Sequence, residues 1–313
     1  MTMINGILNV YKEQGWTSHD VVARLRAICG QKRIGHAGTL DPDAEGVLVV
    51  LFGNATRVSE MLTVREKAYR AVLLLGVETD TQDISGTVLR EESVESITEE
   101  AVRTAAAGFV GTIEQIPPMY SALKVDGKKL CDLARKGQAV ERAPRSVTIY
   151  DLIIEQIDLP RVTLSVRCSK GTYIRTLCQD IGARLGCGGT MEHLVRTESG
   201  GYHVADSLRI AEIQSLWEEG RLGTRVHPVE EVFADCPAAQ TKPDSDRLLY
   251  NGNRISADGI EGMLPSAPRI RMRDSEGTFC GIYGCTDPAE GCRPVRMFLS
   301  EEGVSAGRSS HEG

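Results

Sequence analysis

A lone carboxylate, Asp41, stands in the run Gly35-His36-Ala37-Gly38-Thr39-Leu40-Asp41-Pro42. A nearby imidazole and two glycines that allow close backbone approach give it the surroundings of a nucleophile or general base. The same letters suit an aspartate that only stabilises its own turn through an Asx hydrogen bond. Arg175, in Gly171-Thr172-Tyr173-Ile174-Arg175, falls where a helix should begin. It could pair with a carboxylate from elsewhere or simply face water. From Lys124 to Arg145, seven basic residues (Lys124, Lys128, Lys129, Arg135, Lys136, Arg142, Arg145) meet three acidic ones (Asp126, Asp132, Glu141), a local charge of +4. Such a segment is either a solvated loop or an RNA contact.

Other chemistries lack their parts. GxxxxGK[ST], GxSxG and HExxH are absent, and the six histidines are scattered without metal-ligand spacing. Nine cysteines, an odd number with no CxxC pair, argue against a disulfide scaffold or a zinc ribbon. Reduced, mostly buried thiols in a cytoplasmic protein are expected. No cofactor fingerprint is visible, and none is expected.

Elements must carry these residues. Ser18 is placed as an N-cap, with Val21, Val22, Leu25, Ile28 and Cys29 at helical spacing before Gly30. Gln31 to Pro42 read as an irregular loop. Val47 to Leu51, Tyr69 to Leu75, Ser146 to Ile157 and Val162 to Cys168 read as strands, and Thr98 to Val110 as an amphipathic helix. Gly171 leads into a helix with Ile174, Leu177, Cys178, Ile181 and Leu185 on one face. Around Asp235 to Asp246 the composition shifts towards short strand-like pieces.

The chain has 313 residues, 41% of them hydrophobic, enough for one large domain and a smaller one. The start has neither the basic residues nor the apolar run of a signal peptide. Val47 to Phe52 is far too short to cross a bilayer. A net charge of −7 counts against nucleic acid. Its distribution matters more, because Thr79 to Glu100 concentrates seven acidic residues against Arg90 while the Lys124–Arg145 segment stays basic.

Four ordered blocks resemble the bacterial tRNA pseudouridine-55 synthase family, the TruB type. They are Gly6-Ile7-Leu8-Asn9-Val10-Tyr11-Lys12 with Gly15-Trp16-Thr17-Ser18; Gly35 to Pro42 with Glu45-Gly46-Val47-Leu48; Ile116 to Gly127; and Cys168 to Leu177. The resemblance implies an α+β fold: a catalytic domain around a mixed, mainly antiparallel sheet (residues 1–236), then a small PUA-like β domain (237–300). The basic excursion at 117–145 would be an RNA-gripping insertion, and residues 301–313 a disordered tail.

Carried over by position, Asp41 is the essential aspartate, Arg175 its partner and Tyr69 the residue stacking on the target uracil. His36 would fill the gap left by the extruded base, and Leu194 would pack on the ring. Lys12 and Tyr173 would belong to the substrate-binding shell, with Lys124, Lys128 and Lys129 on the RNA. One departure stands out: Glu13-Gln14 follows Lys12 where the family has a proline. The implied activity is isomerisation of uridine 55 in the T-arm of tRNA by a monomer. Two rivals are an RNA-binding folding factor with secondary catalysis and a subunit guided by a separate RNA. The intact Asp41, Tyr69 and Arg175 argue against the first, and the lack of long basic tails against the second.

Overall fold

The structure, a computed structural model, describes residues 3–121, 123–125, 127–138 and 140–299. The expected 301–313 tail lies outside the described residues. Long alternating apolar stretches build a nine-stranded sheet. Its main order is Gly6–Lys12, Glu45–Phe52, Gly189–Ser199, Lys67–Leu75, Arg161–Cys168, Arg145–Asp158 and Gly111–Gln115. Off this path, Ile34–Ala37 pairs with Glu45–Phe52 and Tyr202–His203 with Gly189–Ser199. Neighbours run antiparallel except Gly189–Ser199 beside Glu45–Phe52. The mixed, mainly antiparallel architecture expected from the sequence is therefore present.

The Ile174–Leu185 helix lies on one face of this sheet. Leu177, Cys178 and Ile181 pack there against Leu73, Val162 and Leu164 in one apolar cluster. The Ser18–Cys29 helix buries Val21, Val22 and Leu25 against Leu8, Val10, Leu48 and Val50. Its left-handed Gly30 cap is as expected, but the N-cap is Thr17, one residue earlier than placed. Thr17 and Asp20 form a reciprocal capping box, which satisfies two orphan donors at once. Ser18 is thereby free to bond the loop that carries Asp41 instead.

Two other expectations shift. Residues 34–37 are a strand rather than loop, because they find partners at Val49 to Phe52. The helix after Thr98 stops at Ala107, before Gly108, rather than at Val110. C-terminal to these, Ala238–Gln240, Ala267–Arg273, Phe279–Cys285 and Arg293–Met297 form a separate four-stranded sheet. Ile282, Phe298 and Phe233 join Val47, Val49 and Leu51 in a shared cluster, so this small β unit packs against the Glu45–Phe52 strand. Phe279 and Phe298 stack there with ring centroids 5.7 Å apart.

Candidate active site

Strand Glu45–Phe52 is continuous with the loop that carries Asp41, and the loop is held by long side chains from elsewhere. Ser18 accepts from the Leu40 amide at 2.9 Å. Lys12 donates from Nζ to the carbonyls of Glu13, Trp16 and Pro42 at 3.0, 2.6 and 3.0 Å. Arg196 donates to Val47, Thr39 and Gly38 carbonyls at 2.7, 3.3 and 3.0 Å. Gly38 (φ 89°) turns the chain where a side chain would be strained. At Gly46 an added Cβ would lie 2.3 Å from the Arg196 carbonyl oxygen, so only glycine lets these strands pass.

Asp41 does not cap its own turn with its carboxylate. Its side chain meets the Arg175 guanidinium at 2.8 Å, with the carboxylate half exposed and the arginine almost wholly buried. Arg175 also faces Asp83 at 3.5 Å and donates to the carbonyls of Thr81 and Tyr120. Asp83 is itself anchored, accepting from Thr81, the Ser85 amide and the Ser85 hydroxyl. The guanidinium thus reaches Asp41 already aimed by three fixed groups.

A cleft of about 540 Å³ opens over this pair. Asp41, Tyr69, Tyr173, Arg175 and Leu194 line it, along with Lys67, Arg145, Lys170 and Arg196. Five of the lining side chains are cationic against the single carboxylate of Asp41, in a chain whose net charge is negative. Tyr69 and Leu194 come from adjacent strands and are both buried. Burial pushes the Tyr69 phenol above its ordinary pKa, and the neighbouring Arg196 guanidinium pulls it back. Tyr173 begins the Ile174–Leu185 helix, fixed by a pair of hydrogen bonds between its backbone and Gln115.

Not every predicted residue comes to the cleft. The placement of Lys12 among substrate contacts is corrected: it is completely buried, and its ammonium serves three backbone carbonyls. Desolvation lowers its pKa to about 8, opposed by Asp41, Asp43 and Glu45. The Lys12 bonds to the Glu13 and Pro42 carbonyls hold the turn in which Glu13 stands where the family has proline. Glu13 itself points out to Arg209 at 2.6 Å.

His36 is outside the cleft lining and packs edge-on against His19, with centroids 5.6 Å apart. Burial, then His19 and Arg196, lower its pKa. Lys128 is exposed in a two-stranded hairpin, Lys124–Val125 with Lys128–Lys129. The side chains of Lys124 and Lys129 lie outside the described residues. Sequence reading missed Asp83, Lys67 and Arg196 as site residues. Only the short spacing from Lys67 to Tyr69 and from Leu194 to Arg196, two residues on one strand face, offered a signal.

The geometry accords with comparisons to known proteins. Residues 26–174 match the TruB family pseudouridylate synthase (N terminal domain). Residues 175–234 match the tRNA pseudouridylate synthase B C-terminal domain, so the small β unit lies beyond both matches. The chain is 46% identical over 308 residues to the tRNA pseudouridine synthase B of Lachnoclostridium phytofermentans, covering 95% of this chain and 100% of that protein. It is 43% identical to that of Clostridium tetani, with the same coverage.

Among solved structures, it is similar to a chain in an H/ACA RNP bound to a substrate RNA containing 2′-deoxyuridine, with a TM-score of 0.69 at 22% identity. That match covers 95% of this chain and 86% of the other. A chain of a Cbf5-Nop10-Gar1 complex matches with a TM-score of 0.70 at 23% identity, covering 96% and 86%. At such identity these two establish the fold alone. With the relatives matching along nearly their whole length, the chain belongs to the TruB family of pseudouridylate synthases.

Proposed function

We propose that this chain isomerises uridine 55 in the T-loop of tRNA to pseudouridine, as a cytoplasmic monomer that grips the T-arm and needs no cofactor. The observation that carries this reading is the Asp41–Arg175 pair, 2.8 Å apart, at the bottom of a cation-lined cleft. The tRNA pseudouridine synthase B relatives support the same reaction.

The reaction breaks the C1′–N1 bond, turns the uracil and joins C1′ to C5. Atoms are conserved, so no redox agent or energy source enters. Asp41 acts through its carboxylate, either attacking C1′ or taking the 2′ proton, and Arg175 aims it. The target nucleotide leaves its stack to reach the cleft, and Tyr69 and Leu194 offset part of that cost by packing on the ring. Arg145 and Lys170 are both exposed at the cleft and suit backbone phosphates. The basic hairpin around Lys128 extends that contact along the RNA.

The decisive experiment incubates purified protein with unmodified tRNA carrying tritium at uracil C5, follows tritium release, and maps the modified position. Release with modification at position 55 is expected. Intact tritium after prolonged incubation would refute the activity, and modification at another position would refute the assigned target.

A further inference from the structure

Three buried cations surround the cleft, and their charge is balanced differently. Arg175 faces two carboxylates, Asp41 and Asp83. Lys67 and Arg196 have none: among the described residues, both bond only neutral groups. Lys67 donates to the carbonyls of Thr63 and Arg65, and Arg196 to those of Gly38, Thr39 and Val47. Both side chains are buried, and both line the cleft. Carbonyl dipoles solvate a buried cation but leave its charge uncancelled, which is costly in a low-dielectric site unless an anion forms there.

Their position says where that anion forms. Lys67 and Tyr69 share one face of a strand, as do Leu194 and Arg196 on the next. Arg196 stands directly opposite Tyr69 in the register, and Ser199 opposite Lys67. The two cations therefore adjoin the surface on which the target base would pack. Arg145 and Lys170, by contrast, are exposed.

Resting on the isomerase reading above, we infer that Lys67 and Arg196 stabilise the uracil anion that forms when the glycosidic bond breaks. The C1′–N1 bond cleaves with its electron pair remaining on N1, whichever role Asp41 plays. The negative charge spreads over N1, O2 and O4 of the detached ring. It is cancelled again when C5 bonds to C1′, with Asp41 leaving C1′ or returning its proton to C2′ according to its role, and the C5 proton is then lost while N1 gains one. A preformed positive field needs no reorganisation at the moment the bond breaks, and such fields act most strongly where water is excluded.

The surroundings of Lys67 make this field titratable. Burial, reinforced by Arg196 on the neighbouring strand and by Lys170, lowers its pKa to about 8, while Cys168 opposite it on the other side acts to raise it. Burial pushes Cys168 itself up to about 11 and holds Tyr69 above its ordinary value.

The test measures tRNA conversion, kcat and tRNA affinity from about pH 6.5 to 9.5, bracketing the Lys67 titration, for wild type, Lys67→Arg and Lys67→Met in the full chain. Wild-type kcat/KM should fall above about pH 8 as Lys67 loses its proton. Lys67→Arg, with a permanent cation, should keep most activity near neutral pH and lose that alkaline fall. Lys67→Met should lower kcat about 100-fold, with tRNA affinity nearly unchanged and a flat profile.

Three results would overturn the inference: an Arg variant as slow as the Met variant, a Met variant with wild-type kcat, or a defect confined to affinity, which would assign the cations to a phosphate. Should Lys67→Met fail to fold, the Arg variant decides alone, since retention of the wild-type alkaline fall rules Lys67 out. A wild-type protein that leaves uridine 55 untouched sinks the parent reading; one that converts it while ignoring these substitutions sinks only this inference.

Discussion

Arg175 and Asp41 meet at 2.8 Å with opposite exposures, a guanidinium sealed inside the protein and a carboxylate half open to the cleft. The pairing holds the anion while leaving one side of it free for substrate. Asp41→Asn keeps the shape and removes the charge. Conversion should drop below detection while tRNA affinity in a filter-binding assay stays within a few-fold. Measurable turnover by this variant would remove Asp41 from the chemistry.

Asp83 touches the far side of the same guanidinium at 3.5 Å and is clamped by Thr81 and Ser85. Asp83→Asn should therefore act through Arg175. We expect kcat to fall about 10- to 100-fold with little change in KM, the pattern seen when an interaction made only in the transition state is removed. Combined with Arg175→Lys, the two effects should be less than additive, because both loosen one unit. Strict additivity in that double-mutant cycle would disconnect them.

Tyr69→Phe retains a ring over the base and deletes the phenol beside Arg196. Stacking survives, so tRNA binding should hold while the single-turnover rate slows at least about 10-fold, as for removal of a proton-transfer group. Equal losses in affinity and rate would assign Tyr69 to stacking alone.

Removing charge from the basic hairpin region, with Lys128, Lys129 and Lys136 replaced by Gln, should leave single-turnover rates intact at saturating protein. Affinity should weaken, and the slope of log K against log salt should flatten by roughly 0.7–0.9 for each phosphate that is no longer neutralised. An unchanged slope in salt titrations would take this segment off the RNA.

Lys12 provides a stability test rather than a catalytic one. Lys12→Met leaves three loop carbonyls without their donor and should cost about 3 kcal/mol in denaturant unfolding. The pH dependence follows from its pKa of about 8, below the ordinary lysine value. Between about pH 8 and 10.5 the unfolded chain binds more protons than the folded one, so wild-type stability should rise with pH there. Lys67 contributes in the same window. The rise should shrink in Lys12→Met; an identical pH slope would show that Lys12 does not titrate on folding.

Much of this molecule is local enough to be legible as sequence. The Ser18–Cys29 and Ile174–Leu185 helices announce themselves through periodic apolar residues and left-handed Gly30 and Gly186. Paired strands show as alternation, and the family resemblance carried onto Asp41, Tyr69 and Arg175 picks out residues that line one cleft. Tertiary structure alone decided how charge is distributed there. Lys12 reads as a polar strand end, yet it is sealed in by a carbonyl 30 positions away. Arg196 reaches back 158 residues to Gly38, and Arg175 finds Asp83 only because a loop and a helix converge. Periodicity reports which face of an element is apolar. Whether a cation on that face meets a carboxylate, a carbonyl or nothing depends on chain segments far away, and that choice sets what the cleft can stabilise.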